Sequence, residues 1–111
     1  MEDYFYNKIF IRVESVVCMC TKHFTKMDVH PQELYYGITK IPTHISVARC
    51  ISLNILHNYY GMSYKTLSDR SNMTDKSVMK CVAKAREYIH TDKLYQDIYN
   101  LAISKLYGKS K

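Results

Sequence analysis

The fold is decided by residues 63–89, SYKTLSDRSNMTDKSVMKCVAKAREYI. Ser63 can cap a short helix over residues 64–70, because a serine hydroxyl accepts a hydrogen bond from a free amide of the first helical turn. The polar residues 71–73 suit a turn, and Thr74 can cap a second, longer helix. The stretch therefore predicts two helices joined by a turn of a few residues.

The second of these helices has two opposite faces. Its apolar residues recur at helical spacing and are Val78, Val82, Ala85 and Ile89. Its lysines recur at every fourth position and are Lys76, Lys80 and Lys84. At 100° per residue the lysines span an arc of about 80°, and the apolar residues lie on the opposite side. A short helix, a turn and a second helix with a basic outer face form the helix-turn-helix pattern.

Helical spacing also marks the chain before this stretch. A first helix over about residues 8–25 has one apolar face, formed by Ile9, Val13, Val16, Val17, Cys20 and Phe24. Pro31 and Glu33 suit the first turn of a short second helix over residues 31–35, which Gly37 ends. A loop over residues 37–43 follows, since Pro42 favours an extended residue before it.

Two further helices complete the fold. A third helix follows the loop, with Gly61 as its C-cap and an apolar face formed by Ala48, Ile51, Ile55, Leu56 and Tyr59. Asp92 caps a last helix that ends before Gly108. No segment shows the alternation of a strand, so the sequence predicts an all-α bundle of about six helices that contains the helix-turn-helix.

Charge is segregated along the chain. The 111 residues carry a net charge of +6, with four basic and five acidic side chains in residues 1–36 but twelve and five in residues 37–111. A segregated positive potential attracts polyanions, chiefly nucleic acid or an anionic membrane surface. No apolar run approaches the ~20 residues of a membrane span, and no secretory signal opens the chain. We therefore expect a cytoplasmic protein, in a bacterial cell or an infected host cell, with no membrane partner.

The cysteines and histidines give no sign of a cofactor. The four cysteines, expected to be reduced thiols in a cytoplasmic protein, are Cys18, Cys20, Cys50 and Cys81. Zinc binding by Cys18 and Cys20 with His23 and His30 is disfavoured, since the two cysteines point about 200° apart on a helix. Buried thiols are the better interpretation. No Gly-rich phosphate loop indicates a nucleotide, and the scattered histidines form no nucleophile arrangement, so neither a cofactor nor an enzyme is expected.

Residues 45–106 resemble the C-terminal DNA-binding domain of the bacterial replication initiator DnaA. In that family a Leu/Met-Ser turn leads from a long helix into the helix-turn-helix, and Met62-Ser63 is similar to it. The family's second motif helix opens with an Asp-His-Thr-Thr-Val box, where residues 74–78 here read Thr-Asp-Lys-Ser-Val. Residues 46–49 fall on the family's basic segment. With a weaker match of the first helix, the resemblance spans about residues 10–107, which leaves residues 1–9 as an N-terminal extension and 108–111 as a basic tail.

The departures from the family pattern bear on specificity. Only the hydroxyl of Ser77 and the apolar Val78 carry over from the box. The Arg-rich run that enters the minor groove in the family is replaced by residues 40–44, Lys-Ile-Pro-Thr-His. The resemblance thus implies a shared fold with a different DNA site. It further implies a stand-alone relative without the ATPase module, encoded by a bacterium, a phage or another mobile element and serving replication, transcription or genome maintenance.

The favoured function is the binding of double-stranded DNA. Lys76 and Ser77 would reach base edges or phosphates in the major groove, and Asp75 could accept a hydrogen bond from a cytosine amino group. Lys80 and Lys65 would meet phosphates. The residues expected to contact DNA, several of them through the resemblance alone, are Lys40, Thr43, His44, Arg49, Lys65, Thr74, Asp75, Lys76, Ser77, Lys80 and Lys84.

Other interpretations stay open. The lysines can equally form an ordinary solvated helix face. The chain can also be a protein-interaction or scaffold module that reuses the fold, with a protein partner or a second copy of itself. The eleven tyrosines, some in pairs such as Tyr35-Tyr36 and Tyr59-Tyr60, suit protein interfaces. Salt separates the two functions, because affinity for DNA falls steeply as salt rises.

Overall fold

A computed structural model describes residues 2–35 and 41–108, with side chains described from residue 7 onward. Within these ranges every regular element is helical: α1 (Glu2–Thr25), a 3-10 turn (Pro31–Glu33), α2 (Thr43–Asn58), α3 (Tyr64–Ser71), α4 (Asp75–Thr91) and α5 (Lys93–Tyr107). The predicted all-α fold class is confirmed. The predicted short helix over residues 31–35 is a 3-10 turn, so the described chain has five α-helices in place of about six.

Side-chain caps fix where three of the helices begin. Ser63 and Thr74 each accept, through the hydroxyl oxygen, a hydrogen bond of 3.1 Å from the amide three residues ahead. Asp92 accepts bonds of 2.9 and 3.2 Å from the amides two and three residues ahead. All three were predicted as caps. The C-cap of α2 is Tyr59 and not the predicted Gly61, which lies two residues further on with φ +68°, a conformation that favours glycine. The boundaries of the helix-turn-helix are thus encoded locally.

The first helix is longer than predicted. It begins at Glu2 instead of about residue 8, so residues 2–9, assigned as an extension, continue α1. The prediction of Phe24 on the buried face is also wrong, because its side chain lies in the last turn, 36% exposed and edge-on to the ring of His23. No helix in the described part of the chain is long and apolar enough to cross a membrane.

Cys18 and Cys20 are both buried, although they point to different sides of α1. This is explained by packing, because α1 contacts α2 on one side and α5 on another. Burial raises the pKa of Cys18 to about 12 and that of Cys20 to about 11. The prediction of buried thiols is confirmed at these two positions. Among the described residues, no three His, Cys, Asp or Glu side chains converge as metal ligands.

The centre of the fold is α2, which contacts each of the other four α-helices. Every residue from 47 to 56 is buried, so this helix has no solvent-facing side over that length. Asn54 satisfies its amide inside the core by donating from Nδ2 to the carbonyl of Val82 at 3.1 Å. Because α2 presses directly on α4, the position of the second motif helix is set by the core.

One buried carboxylate joins α1 to α3. Glu14, 2% exposed, accepts hydrogen bonds from Arg70 Nη2 at 2.8 Å and from the hydroxyl of Tyr35 at 2.9 Å. The Arg70 guanidinium also lies 4.9 Å from the centre of the Phe10 ring and donates to Asn7 Oδ1 at 3.3 Å. We call Glu14, Tyr35 and Arg70 the buried triad after its carboxylate, since the Arg70 side chain itself keeps 30% of its surface exposed. It anchors the first motif helix to a segment far away in the sequence.

Candidate nucleic-acid interface

The turn between α3 and α4 is rigidly built. Asn72 ends α3 in the left-handed region, with φ +61°, which short polar side chains tolerate. The Ser68 hydroxyl donates to the carbonyl of Met73, and the Ser71 hydroxyl donates to that of Leu67. With Leu67 fully buried, the α3 side of the turn is anchored in the core. The angle between the two motif helices is therefore set by packing and by paired polar groups.

The second motif helix divides into the two predicted faces. Val78, Val82 and Ala85 have no exposed surface and pack into the core. Lys76, Lys80 and Lys84 are all exposed. The amphipathic prediction for α4 is thus confirmed, and the apolar face explains why the lysines must point outward.

The three lysines of α4 differ in their surroundings. Within the described part of the chain, neither Lys76 nor Lys80 forms an ion pair. Lys84 lies with Nζ 5.9 Å from the centre of the Tyr88 ring, close enough for a weak cation–π contact. The two lysines nearest the start of α4 thus keep their charges directed at solvent.

Two hydroxyls at the start of α4 bind each other. Thr74 Oγ1 accepts from the Ser77 amide and lies 3.0 Å from Ser77 Oγ, to which it donates. Thr74 therefore works as a cap, and its capacity for a further ligand is reduced. Ser77 keeps its own hydroxyl proton for donation. Asp75 lies exposed in the first turn, where a carboxylate stabilises the positive end of the helix.

Lys65 lies on the exposed side of α3. Its Nζ is 3.9 Å from Asp69 Oδ1, one turn along the same helix, and both side chains are more than two-thirds exposed. An ion pair this exposed is weak and is readily exchanged for another anion. Lys65 is thus available to a phosphate despite its neighbour.

The start of α2 lies beside the second motif helix. Thr43 and Ser46 line a groove of about 360 Å³ together with Lys84 and Tyr88. His44 lies on another groove, of about 370 Å³, which it shares with Thr43. The structure thus brings Thr43 and Lys84 to the same surface groove. Lys40 lies outside the described residues.

Arg49 does not lie on the surface formed by the start of α2 and the exposed side of α4. It is 7% exposed, and its Nε donates to the carbonyl of Leu34. The expectation that it contacts DNA is wrong, because the guanidinium satisfies a buried backbone carbonyl between the 3-10 turn and α2. A basic residue near the start of a helix looks the same in sequence whether its partner is a phosphate or a carbonyl.

Two further residues lie on the surface formed by the start of α2 and the exposed side of α4, although the sequence analysis did not include them among the site residues. Met79 is 48% exposed on α4 and lies beside Lys76 on the helix surface. Ser46 lies one turn after Thr43 and lines the same groove. Met79 could have been found from its helical angle, since it falls outside the apolar arc of α4.

Comparisons with known proteins add no family assignment. No protein-family model matches the chain, and neither the curated proteins nor the solved structures contain a match.

Proposed function

We propose that this chain binds double-stranded DNA through its helix-turn-helix, with α4 as the helix that enters the major groove. The observation that carries the proposal is that α4 has one buried apolar face and one exposed basic face. Val78 and Val82 are completely buried, while Lys76 and Lys80 are exposed and have no acidic partner in the described part of the chain. Unpaired cations on one helix face are suited to phosphates and to base edges.

Each part of the face has a distinct role in this proposal. Lys76 and Ser77, in the first turn of α4, reach toward base edges, since motif helices read DNA with their N-terminal residues. Lys80 neutralises phosphates along the groove wall. Thr43 and Lys84, on either side of their shared groove, approach the backbone of the adjacent strand. DNA would therefore contact α4 and the start of α2 together.

The resemblance to the initiator domain supports a narrower role. A relative of that domain would act in replication or transcription control. The altered residues 74–78 favour a DNA site different from that of the family. Selection of bound fragments from random DNA would identify the site, if one is preferred.

The decisive experiment neutralises the α4 face. The variant Lys76→Ala/Lys80→Ala/Lys84→Ala and the parent are titrated onto labelled random-sequence duplexes at several salt concentrations. The parent's log affinity should fall with log salt at about 0.9 per phosphate contact, and the variant should lose up to three contacts from that slope. Folding is checked by circular dichroism. A folded triple variant that binds like the parent would refute DNA binding by this face.

A matched control removes the same charge elsewhere. Lys22, Lys93 and Lys105 are exposed lysines on α1 and α5. Lys22 and Lys93 pair with the exposed or partly exposed Asp28 and Asp97, so replacing them should change stability little. Their triple alanine variant should retain most of the parent's affinity. An equal loss in both triple variants would indicate attraction by net charge alone.

A cluster of tyrosines favours a second candidate function, the binding of another protein. The rings of Tyr59 and Tyr107 lie 5.2 Å apart at the C-terminal ends of α2 and α5, and each residue is nearly half exposed. Tyr99 donates its hydroxyl proton to the hydroxyl of Tyr59 at 3.2 Å. Exposed tyrosines are enriched in protein interfaces. The partner can be a second copy of this chain. Analytical ultracentrifugation at increasing protein concentration tests such self-association, which the variant Tyr59→Ser/Tyr107→Ser should weaken.

A further inference from the structure

Tyr59 lies at the centre of a group of tyrosines formed by the end of α2 and one side of α5. It is the C-cap of α2 and is 47% exposed. Its hydroxyl accepts a hydrogen bond of 3.2 Å from the hydroxyl of Tyr99, which is partly buried on α5. Its ring also lies 5.2 Å from the ring of Tyr107, the last residue of α5. Tyr59 therefore contacts one tyrosine through its hydroxyl and another through its ring.

The contact between Tyr59 and Tyr99 joins the hydroxyl ends of the two rings. The ring centres are 6.4 Å apart and the ring planes are tilted by 55°, whereas the two oxygens are only 3.2 Å apart. The rings therefore meet at the edges that carry the hydroxyls and not face to face. In an oxidised tyrosine the unpaired electron resides on the oxygen and on the ring carbons beside it. The atoms that would react are thus the ones that this contact brings together.

We propose that Tyr59 and Tyr99 form a site of oxidative modification, where a peroxidase that uses hydrogen peroxide links the two rings as an intramolecular dityrosine. The oxidant takes one electron from the exposed Tyr59, and the proton of its hydroxyl is released to water. The Tyr59 radical then accepts the hydrogen atom that Tyr99 donates along the 3.2 Å hydrogen bond. Tyr59 is a phenol again, and the radical lies on Tyr99.

A second oxidation of Tyr59 completes the link. The two radicals, held side by side, form a carbon–carbon bond between ring positions next to the hydroxyls. Each of these carbons then loses its hydrogen as a proton, and each oxygen takes up one proton. Together the two tyrosines lose two electrons and two protons, which convert one hydrogen peroxide into two water molecules.

The link closes a loop around the helix-turn-helix. Tyr59 and Tyr99 are 40 residues apart, and α3 and α4 lie entirely between them. A covalent link between distant residues stabilises a fold chiefly by restricting the unfolded chain. Oxidation should therefore stabilise the two motif helices, and thiol reductants should not reverse it because the new bond joins two carbons. This inference does not depend on DNA binding or on a protein partner.

The first test uses the unmodified chain at low concentration, treated with peroxidase and hydrogen peroxide. We expect dityrosine fluorescence in a product of monomer size, with a mass lower by two hydrogen atoms. Peptide mapping by mass spectrometry should place the link between Tyr59 and Tyr99. A link between two chains, or from Tyr59 to Tyr107, as the main product would overturn the proposal.

Variants that lose a single hydroxyl test the assignment, with folding checked by circular dichroism. Tyr59→Phe and Tyr99→Phe should each lose most of the dityrosine fluorescence of the monomer. Tyr107→Phe, at a similarly exposed ring of the same group, should keep the yield of the parent. So should Tyr88→Phe, since the Tyr88 and Tyr95 rings lie 5.1 Å apart but nearly perpendicular, and Tyr95 is buried. Equal yields in Tyr59→Phe and the parent would refute the assignment.

Thermal unfolding tests the consequence of the link. The purified cross-linked monomer should unfold at a higher temperature than the untreated chain, because its unfolded state is restricted by the closed loop. Tyr59→Phe treated in the same way should show no such rise. An unchanged midpoint for the cross-linked parent would contradict a link formed in the native arrangement.

Discussion

The buried triad and the exposed face of α4 carry charges of the same kinds in opposite settings. In the buried triad, Glu14 is almost fully buried and accepts hydrogen bonds from both Arg70 and Tyr35. On the face of α4, Lys76 and Lys80 are exposed and form no ion pair within the described residues. One region uses charge to hold helices together, and the other leaves its charges exposed to solvent.

This difference separates stability from function. A buried carboxylate without its partner loses hydration and gains nothing, so the triad is costly to break. An exposed lysine that loses its charge stays hydrated and costs little. Substitutions in the triad should therefore act on folding, and substitutions on α4 should act on binding.

The largest effect on stability is expected from Arg70→Ala. It leaves Glu14 buried with only Tyr35 as a donor, and we expect the free energy of unfolding to fall by about 3 to 5 kcal/mol. Urea unfolding followed by circular dichroism measures this. The double variant Glu14→Met/Arg70→Met should recover most of the loss, since no unpaired charge remains. A loss below about 1 kcal/mol for Arg70→Ala would show that the triad is not structural.

The triad should also make stability fall at alkaline pH. Burial, followed by the carboxylate of Glu14, raises the pKa of Tyr35 well above its ordinary value of 10.0. Because the unfolded chain releases this proton first, its contribution is complete below about pH 10 and is lost as pH rises toward the folded pKa. Urea unfolding between about pH 9 and 11 measures the slope. Tyr35→Phe should reduce that slope by up to about 1.4 kcal/mol per pH unit, and an unchanged slope would contradict the burial of the phenol.

A smaller effect on stability is expected at the N-terminal cap of α4. Thr74→Ala removes the hydrogen bond to the Ser77 amide and should cost about 1 kcal/mol of stability. Ser63→Ala removes the equivalent cap of α3 and serves as the matched comparison. Thermal unfolding of both variants should give similar shifts. A much larger loss of DNA affinity for Thr74→Ala would mean that its hydroxyl contacts DNA.

The smallest effects on stability belong to the lysines themselves. Lys76→Ala and Lys80→Ala should each change the free energy of unfolding by less than about 0.5 kcal/mol. On DNA they should differ: Lys80→Ala weakens binding equally on all duplexes, while Lys76→Ala costs about 1 to 3 kcal/mol on a preferred site and less elsewhere. Titrations on a selected site and on random DNA distinguish these outcomes. Equal losses on both would assign Lys76 to phosphates.

The features that depend on residues close together in the sequence were predicted best. The caps Ser63, Thr74 and Asp92 bond to amides two or three residues away, and the faces of α4 follow from helical spacing alone. The start of α1 was missed, although Phe5 stands four residues before Ile9 at the spacing of the same helix.

Long-range partners were not predictable from the sequence. Arg70 and Glu14 are 56 residues apart, and the sequence around either residue gives no indication of the other. Arg49 was assigned to DNA through the family resemblance, and its actual partner, the carbonyl of Leu34, is a backbone atom that any residue could supply. Charged residues are therefore the hardest to assign from one sequence, since the same side chain serves a core or a ligand.

The pairing of Glu14 with Arg70 also constrains how this chain can evolve. Losing Arg70 alone strands the buried carboxylate of Glu14, whereas replacing both by apolar residues leaves a packed core. Relatives that keep Glu14 should therefore also keep Arg70, and loss of Arg70 alone should be rare. A set of diverged sequences in which the two positions vary independently would show that selection does not act on the pair.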